Sequence, residues 1–412
     1  MAYITGQTIQ GCCLPVKYLG NDTYECEPNV GALHKKHKIY NDYHMWYVKI
    51  IGKVGERITI RLKWPQFDPD KVSEEYKSWD SYSADWPSFF ATVPEVIYYS
   101  TDEIHWDHVD GAVIEGDTIV FSQTLSSEIS YLSTILHYTP ANFDDLLKET
   151  ARSPYVQSHS LCKAWDGGDL MTFTATDFTV PTHLKKTIYL QAAQHCHEHP
   201  GPHVCDFMLR YLADPDDVAK EILKKCIFRI TPVVDRTGWM LGCQSNPQRI
   251  DSLDFNYNRD WKAFQLPETK AIARYLKELK DNGEQLIFLA DLHGGTADED
   301  DYTSTGSGIT FDNRARSDVL DSMRKFNDMV RKRCDFVNPH DSYDVAFLEN
   351  DTMFSTYASR NLGPGYSFEF SMSKIWDRAA GRRFPNSQAS FERVARQLVQ
   401  VLGEFSDEAV YE

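Results

Sequence analysis

The stretch "TIYLQAAQHCHEHPG", Thr187 to Gly201, decides how the chain folds. Its first half is a short apolar run with β-branched and aromatic residues, the pattern of a buried strand. Its second half carries three of the chain's fourteen histidines and one glutamate. The helical zinc motif H-E-x-x-H is excluded, because the second histidine would fall at Gly201 and Pro200 breaks a helix through this stretch. What remains is His195-x-x-Glu198, placed where the chain leaves a strand and turns. At a turn, residues three apart can point to one side, so an imidazole and a carboxylate can converge on one ion.

A second run, "EQLIFLADLHGG" from Glu284 to Gly295, reads as another buried strand that ends in His293 and two small residues. A catalytic zinc takes three protein ligands and keeps one position for water. Two strand ends, one bearing His195 and Glu198 and the other His293, supply that set for one Zn2+ ion. His197, His199 and His203 then read as surface or neighbouring polar residues, and Cys196, alternating away from His195, as a packing residue.

Outward from these strands, short apolar runs alternate with amphipathic stretches from about residue 126: "HVCDFMLRYLAD", "CIFRITPVV", "ETKAIARYLKELKDNG", "YSFEFS" and "SFERVARQLVQVLGEF". Alternation of this kind predicts an α/β domain, residues 126–412, with a mixed, largely parallel sheet flanked by helices. Ligands collect at the carboxyl ends of strands in such sheets. Residues 1–125 lack helical periodicity. "MWYVKIIG", "RITIRLKW", "EVIYYS" and "DTIVFSQ" predict strands and a β-sandwich-like N-terminal domain. The segments "EEYKSWDSYSADWP" and "ADEDDYTSTGSG" read as polar loops.

Composition narrows the function class. A net charge of −17 argues against a nucleic-acid partner, which needs a basic footprint. No apolar run approaches the length of a membrane span. The start, "MAYITGQTIQGCCLPV", does not read as a secretory signal, and nine cysteines without paired spacing predict reduced thiols and a cytoplasmic location.

Further candidates lie between and after the two strands. Arg259 could pair bidentately with a carboxylate, Asn258 could donate from its amide, and Arg249 could reach an oxyanion near the metal. Near the C-terminus Glu369 sits between Phe368 and Phe370 in an apolar strand. A carboxylate there is costly unless it is paired or working, and beside a zinc-bound water it would act as general base.

Five pieces in order, "HCHE", "VDRTGW", "NPQRIDSLDFNYNRDW", "DLHGG" and "YSFEFS", resemble the funnelin zinc carboxypeptidases, most nearly their cytosolic branch. The resemblance is strongest from about Leu184 to Ser373. It implies His195, Glu198 and His293 as zinc ligands, Glu369 as base and proton donor, and Arg249 as oxyanion stabiliser. It implies Asn258 and Arg259 as holders of the terminal carboxylate of a peptide or protein tail. Three departures stand out. Asn256 occupies a position that is often aspartate in the family, where it orients a ligand histidine. The substrate-capping tyrosine has only Tyr343 as a counterpart. Met353 and Phe354 stand where glutamate-removing members carry an arginine, with Arg360 as the cation that could replace it. A neutral or apolar terminal residue is therefore expected, with polyglutamate shortening, an amidohydrolase acting on acylated amino acids, and a silent peptide-binding module as alternatives.

Overall fold

The computed structural model describes residues 1–6, 13–28, 46–64, 74, 94–241, 256–295, 309–310, 317–338 and 352–408. Arg249, Tyr343 and both expected polar loops, apart from Glu74, lie outside the described residues.

The N-terminal strands are β1 (Tyr3–Thr5), β2 (Lys17–Gly20), β3 (Thr23–Cys26), β4 (Tyr47–Ile51) and β5 (Arg57–Lys63). They continue with β6 (Tyr98–Ser100), β7 (Asp107–His108), β8 (Val113–Glu115), β9 (Thr118–Thr124) and β10 (Ile129–Ser133). Among the described residues these pair into two sheets, ordered β1-β4-β10-β6-β7 and β2-β3-β5-β9-β8. Alternation sets the inward faces: Ile58, Ile60 and Leu62 of β5 are fully buried, and they share a core with Val48, Ile50 and Phe121. This is the expected sandwich, and its last strand runs to Ser133, beyond residue 125.

A third, seven-stranded sheet is built from β11 (Val156–Lys163), β12 (Asp169–Ala175), β13 (Lys186–Ala192), β14 (Cys226–Thr231), β15 (Gln285–Gly295), β16 (Ile309–Thr310) and β17 (Gly365–Ser371). Its order is β11-β12-β14-β13-β15-β17-β16, with the four central strands parallel and the flanking pairs antiparallel. A hairpin of β18 (Lys374–Asp377) and β19 (Arg382–Pro385) follows.

Helices cover both faces, as expected for a parallel sheet. They are α1 (Pro140–Thr150), α2 (Pro200–Ala213), α3 (Asp217–Lys225), α4 (Arg236–Leu241), α5 (Pro267–Asp281), α6 (Ser317–Arg333), α7 (Phe354–Asn361) and α8 (Gln388–Glu408). One face packs Leu190, Ala290, Leu292, Phe368 and Phe370 against residues of α2, α6 and α8. The other packs Tyr189 and Leu289 against residues of α5 and α7. Among the described residues, no helix is long and apolar enough to cross a membrane.

Pro200 does stop a helix from running through the histidine stretch, but α2 begins at that same proline. The missing N–H of proline costs nothing at a first helical position. Gly201 follows because α2 crosses tightly over the sheet: a Cβ there would stand 2.6 Å from the Leu292 carbonyl oxygen. The surface reading of the other histidines is corrected. His197, His199 and His203 are all buried. His199 Nδ1 accepts from the Tyr138 backbone N–H at 2.7 Å, and His203 Nε2 donates to the Leu136 carbonyl at 3.2 Å. The crowding thus serves, in part, to satisfy the chain that leads out of the sandwich. Cys196 packs with Tyr138, Val233 and Trp239, as expected.

Candidate metal centre

Strand β13 ends at Ala192, and Ala193 takes a left-handed backbone conformation with φ 53°. That turn carries His195 and Glu198 over the carboxyl ends of β13 and β15. In β15, Asp291 and His293 alternate onto the same face of the sheet, away from Ala290 and Leu292. The parallel register sets His293 directly beside Glu369 of β17, and Asp291 beside Gln191 on one side and Ser367 on the other. Gly294 makes room for the turn, since a Cβ on it would lie 3.1 Å from that of Glu198.

The three expected ligands converge. One donor atom from each of His195, Glu198 and His293 lies within 4.8 Å of the other two, a set that could hold a metal ion. His195 Nδ1 is 2.8 Å from one Glu198 oxygen and His293 Nδ1 is 2.7 Å from the other. Both rings therefore turn the same nitrogen inward, and each Nε2 is held from behind. The Nε2 of His195 lies 3.1 Å from Asn256 Oδ1, and that of His293 meets the Asp291 carboxylate. Asn256 Oδ1 also accepts the Asn258 backbone N–H at 2.9 Å, which fixes its amide orientation, so the His195 Nε2–H is the donor.

The charges are strongly coupled. Burial would raise the Glu198 carboxyl, but the His195 and His293 imidazoles outweigh it and hold the group well below the usual range. Burial would lower His293, yet the Asp291 and Glu198 carboxylates hold it well above the ordinary value. Glu369 is pushed up to about 7, chiefly by burial, with the imidazole of His293 pulling the other way.

Asn258 is buried, and its Oδ1 accepts from the Phe354 backbone N–H at 3.2 Å and from Gln194 Nε2 at 3.3 Å. Only its Nδ2 is left to face the cluster, 3.2 Å from His293 Nε2. Arg259 is half-buried and its guanidinium pKa is lowered by burial. It donates to the Asn258 carbonyl at 2.9 Å, and no carboxylate among the described residues pairs with it. Phe354 is fully buried against Trp261, with ring centroids 4.7 Å apart, and Tyr357 and Phe264 complete the aromatic group. Arg360, in the last turn of α7, is exposed and not gathered into it.

Two residues of the centre escaped the sequence reading: Asp291 and Gln194. A D-x-H pattern at a strand end, with both side chains forced to one face, was the available signal for Asp291.

No protein-family model matches the chain. Over 129 residues it is 30% identical to cytosolic carboxypeptidase 6 of Caenorhabditis elegans, a stretch covering 30% of this chain and 27% of that protein. The chain thus spans about a quarter of the length of the curated relative it matches. Its fold is that of a metallo-carboxypeptidase from Burkholderia cenocepacia, with a TM-score of 0.73 and 16% identity over 99% of this chain and 100% of the other. A metallo-carboxypeptidase from Pseudomonas aeruginosa, solved with (2-guanidinoethylmercapto)succinic acid, matches at 0.71 with 14% identity over 98% and 99% of the two chains. In fold, sandwich included, the chain is like the metallo-carboxypeptidases, and in sequence it resembles their funnelin family, with its partial likeness running to the cytosolic branch.

Proposed function

We propose that the protein is a zinc-dependent metallocarboxypeptidase that hydrolyses the C-terminal peptide bond of peptides or protein tails, with a neutral or apolar terminal residue preferred. The observation that carries this is Arg259. Among the described residues no anion pairs with this half-buried cation, which is costly, and the substrate's terminal carboxylate is the anion that would offset that cost. Asn258 Nδ2, the donor half of an amide whose oxygen is already occupied, lies 3.2 Å from His293 Nε2 and is the second donor.

His195 Nδ1, Glu198 and His293 Nδ1 would hold the ion; the mixed imidazole and carboxylate donor set suits zinc. When bound, zinc supplies Lewis acidity toward the scissile carbonyl and toward water. Glu369, with a pKa of about 7, is matched to taking a proton from the attacking water and returning it to the leaving nitrogen. The C–N bond breaks, a C–O bond to the water oxygen forms, and the amine departs protonated. Arg249 is assigned the developing oxyanion and Tyr343 the cap over the substrate, both by resemblance.

The preference for a neutral terminal residue is supported by the aromatic group around Phe354 and by the exposed position of Arg360. An acidic side chain would be left unpaired beside those rings. The cytosolic name of the matched relative and the free thiols of the described cysteines support a cytoplasmic location.

Blocked dipeptides test the proposal, with the terminal side chain varied and the terminal carboxylate either free or amidated. Cleavage restricted to free carboxylates and fastest for neutral residues is expected. Equal turnover of amidated substrates would overturn the exopeptidase assignment, and fastest removal of glutamate would overturn the side-chain preference.

A further inference from the structure

The two candidate ligand histidines are held from behind by unlike groups. His195 gives its Nε2–H to a neutral amide, Asn256, at 3.1 Å. His293 gives its own to the carboxylate of Asp291, which is wholly buried one residue pair deeper on the same face of β15. No arginine or lysine among the described residues pairs with Asp291. Gln191 Nε2 on the neighbouring strand donates to its Oδ1 at 3.4 Å, and Gln194 Nε2 donates to its Oδ2. Gln191 is set in turn by the Tyr189 hydroxyl, which donates to its Oε1 at 3.0 Å.

Gln194 is the branch point. Its Oε1 accepts from the Trp261 indole N–H at 2.6 Å, so its amide nitrogen is turned inward, between Asp291 and Asn258 Oδ1. Asp291 is thereby tied both to the Nε2 of His293, on the side of the ring away from Glu198, and, through Gln194, to the Asn258 amide. Buried networks of this kind hold each member to one arrangement when every polar atom is used. A carboxylate behind a ligand imidazole fixes the tautomer, orients the ring and makes it a stronger donor to a metal.

Resting on the metal centre proposed above, we propose that Asp291 is a positioning residue that holds His293 with Nδ1 presented to the ion. We assign to Gln194 the coupling of that carboxylate to Asn258. Neither residue touches the substrate. Asp291 supplies the charge and Gln194 the geometry, and Trp261 anchors Gln194.

The test is zinc affinity by competition with a chromophoric chelator, with the visible spectrum of the cobalt-substituted protein as a second readout. Both are read without turnover. Asp291→Asn keeps the volume and removes the charge. It is expected to weaken zinc binding about tenfold to a hundredfold and to shift the cobalt spectrum, with unchanged far-ultraviolet circular dichroism. Gln194→Met is expected to weaken zinc binding less and to raise KM more than it lowers kcat; it carries the test alone if Asp291→Asn does not fold. Wild-type zinc affinity and cobalt spectrum in folded variants would overturn the assignment. A wild-type protein that binds no zinc would overturn it together with the metal centre. Tight zinc binding without peptidase activity would count against the proposed reaction only, because the variants' affinities still judge Asp291.

Discussion

His293 and Glu369 are paired residues of adjacent parallel strands, so a candidate ligand and a candidate base are set side by side by backbone register. Phe368 and Phe370, on the opposite face, anchor β17 in the core and leave Glu369 facing the centre. Burial pushes its pKa to about 7, so near neutral pH it can both accept and release a proton. Glu369→Gln keeps size and polarity and removes the proton exchange. We expect kcat to fall by about a hundredfold to ten-thousandfold while zinc content stays at the wild-type level. Undiminished turnover would sink the proposed mechanism.

Arg259 gives a second expectation, about binding. With the substrate carboxylate absent, its guanidinium has only the Asn258 carbonyl as a polar partner among the described residues. Arg259→Ala should lower kcat/KM for free-carboxylate substrates by about 2–4 kcal/mol, roughly thirtyfold to a thousandfold. The slow residual cleavage of amidated substrates should change little. Equal losses on the two substrate types would show that Arg259 does not meet the carboxylate.

Much of the fold was legible in the sequence because its signals are local. Buried parallel strands read as apolar runs, and β5 read as a strand from its β-branched residues. The convergence of the candidate ligands was legible for a related reason: strand ends collect at one edge of such a sheet, so bringing His195, Glu198 and His293 together needed no long-range information. The buried histidines were not legible, because the groups that satisfy them, Leu136 and Tyr138, lie some sixty residues earlier. Asn256 looked like a departure that left His195 unsupported, yet its amide oxygen fills the place an aspartate oxygen would take. Phe354 is a residue the sequence could name, but that its ring packs on Trp261 while its backbone N–H steadies Asn258 was not legible. Sequence identifies the residue, but which of its atoms is used depends on packing.

Removal of the metal should be visible in stability. Without an ion, the two imidazoles and Glu198 satisfy one another, so the apo protein is expected to remain folded. Binding to the native state alone adds RT ln(1 + [Zn]/Kd), about 4 kcal/mol at a thousandfold excess over Kd. Thermal unfolding with chelator and then with added zinc should give a reversible rise in midpoint. In Glu198→Gln that rise should be much smaller. A midpoint indifferent to zinc in the unsubstituted protein would argue against a metal site.

The histidines behind the centre predict an acid limit. His203 is lowered to about 4, burial being the main cause, with its Nε2 bonded to the Leu136 carbonyl and its ring stacked on Phe391 at 5.4 Å. His137 and His199 are also held well below 6.5 by burial, and their ring centroids lie 4.3 Å apart. A histidine that is buried neutral binds fewer protons in the native state than in the unfolded chain. Its stabilising contribution is therefore complete above pH 6.5 and is lost as pH falls toward the folded value. For His203 alone the loss is on the order of 3 kcal/mol. Asp206, raised to about 6 mainly by burial, acts in the opposite sense, since the native state takes up a proton near pH 6, before the unfolded chain does. Denaturant unfolding between pH 7 and pH 4 should show stability declining with acid. In His203→Phe, which cannot take up the proton, the decline should be shallower even though the lost hydrogen bond lowers stability at pH 7. An identical slope in the two proteins would mean that His203 does not titrate on unfolding.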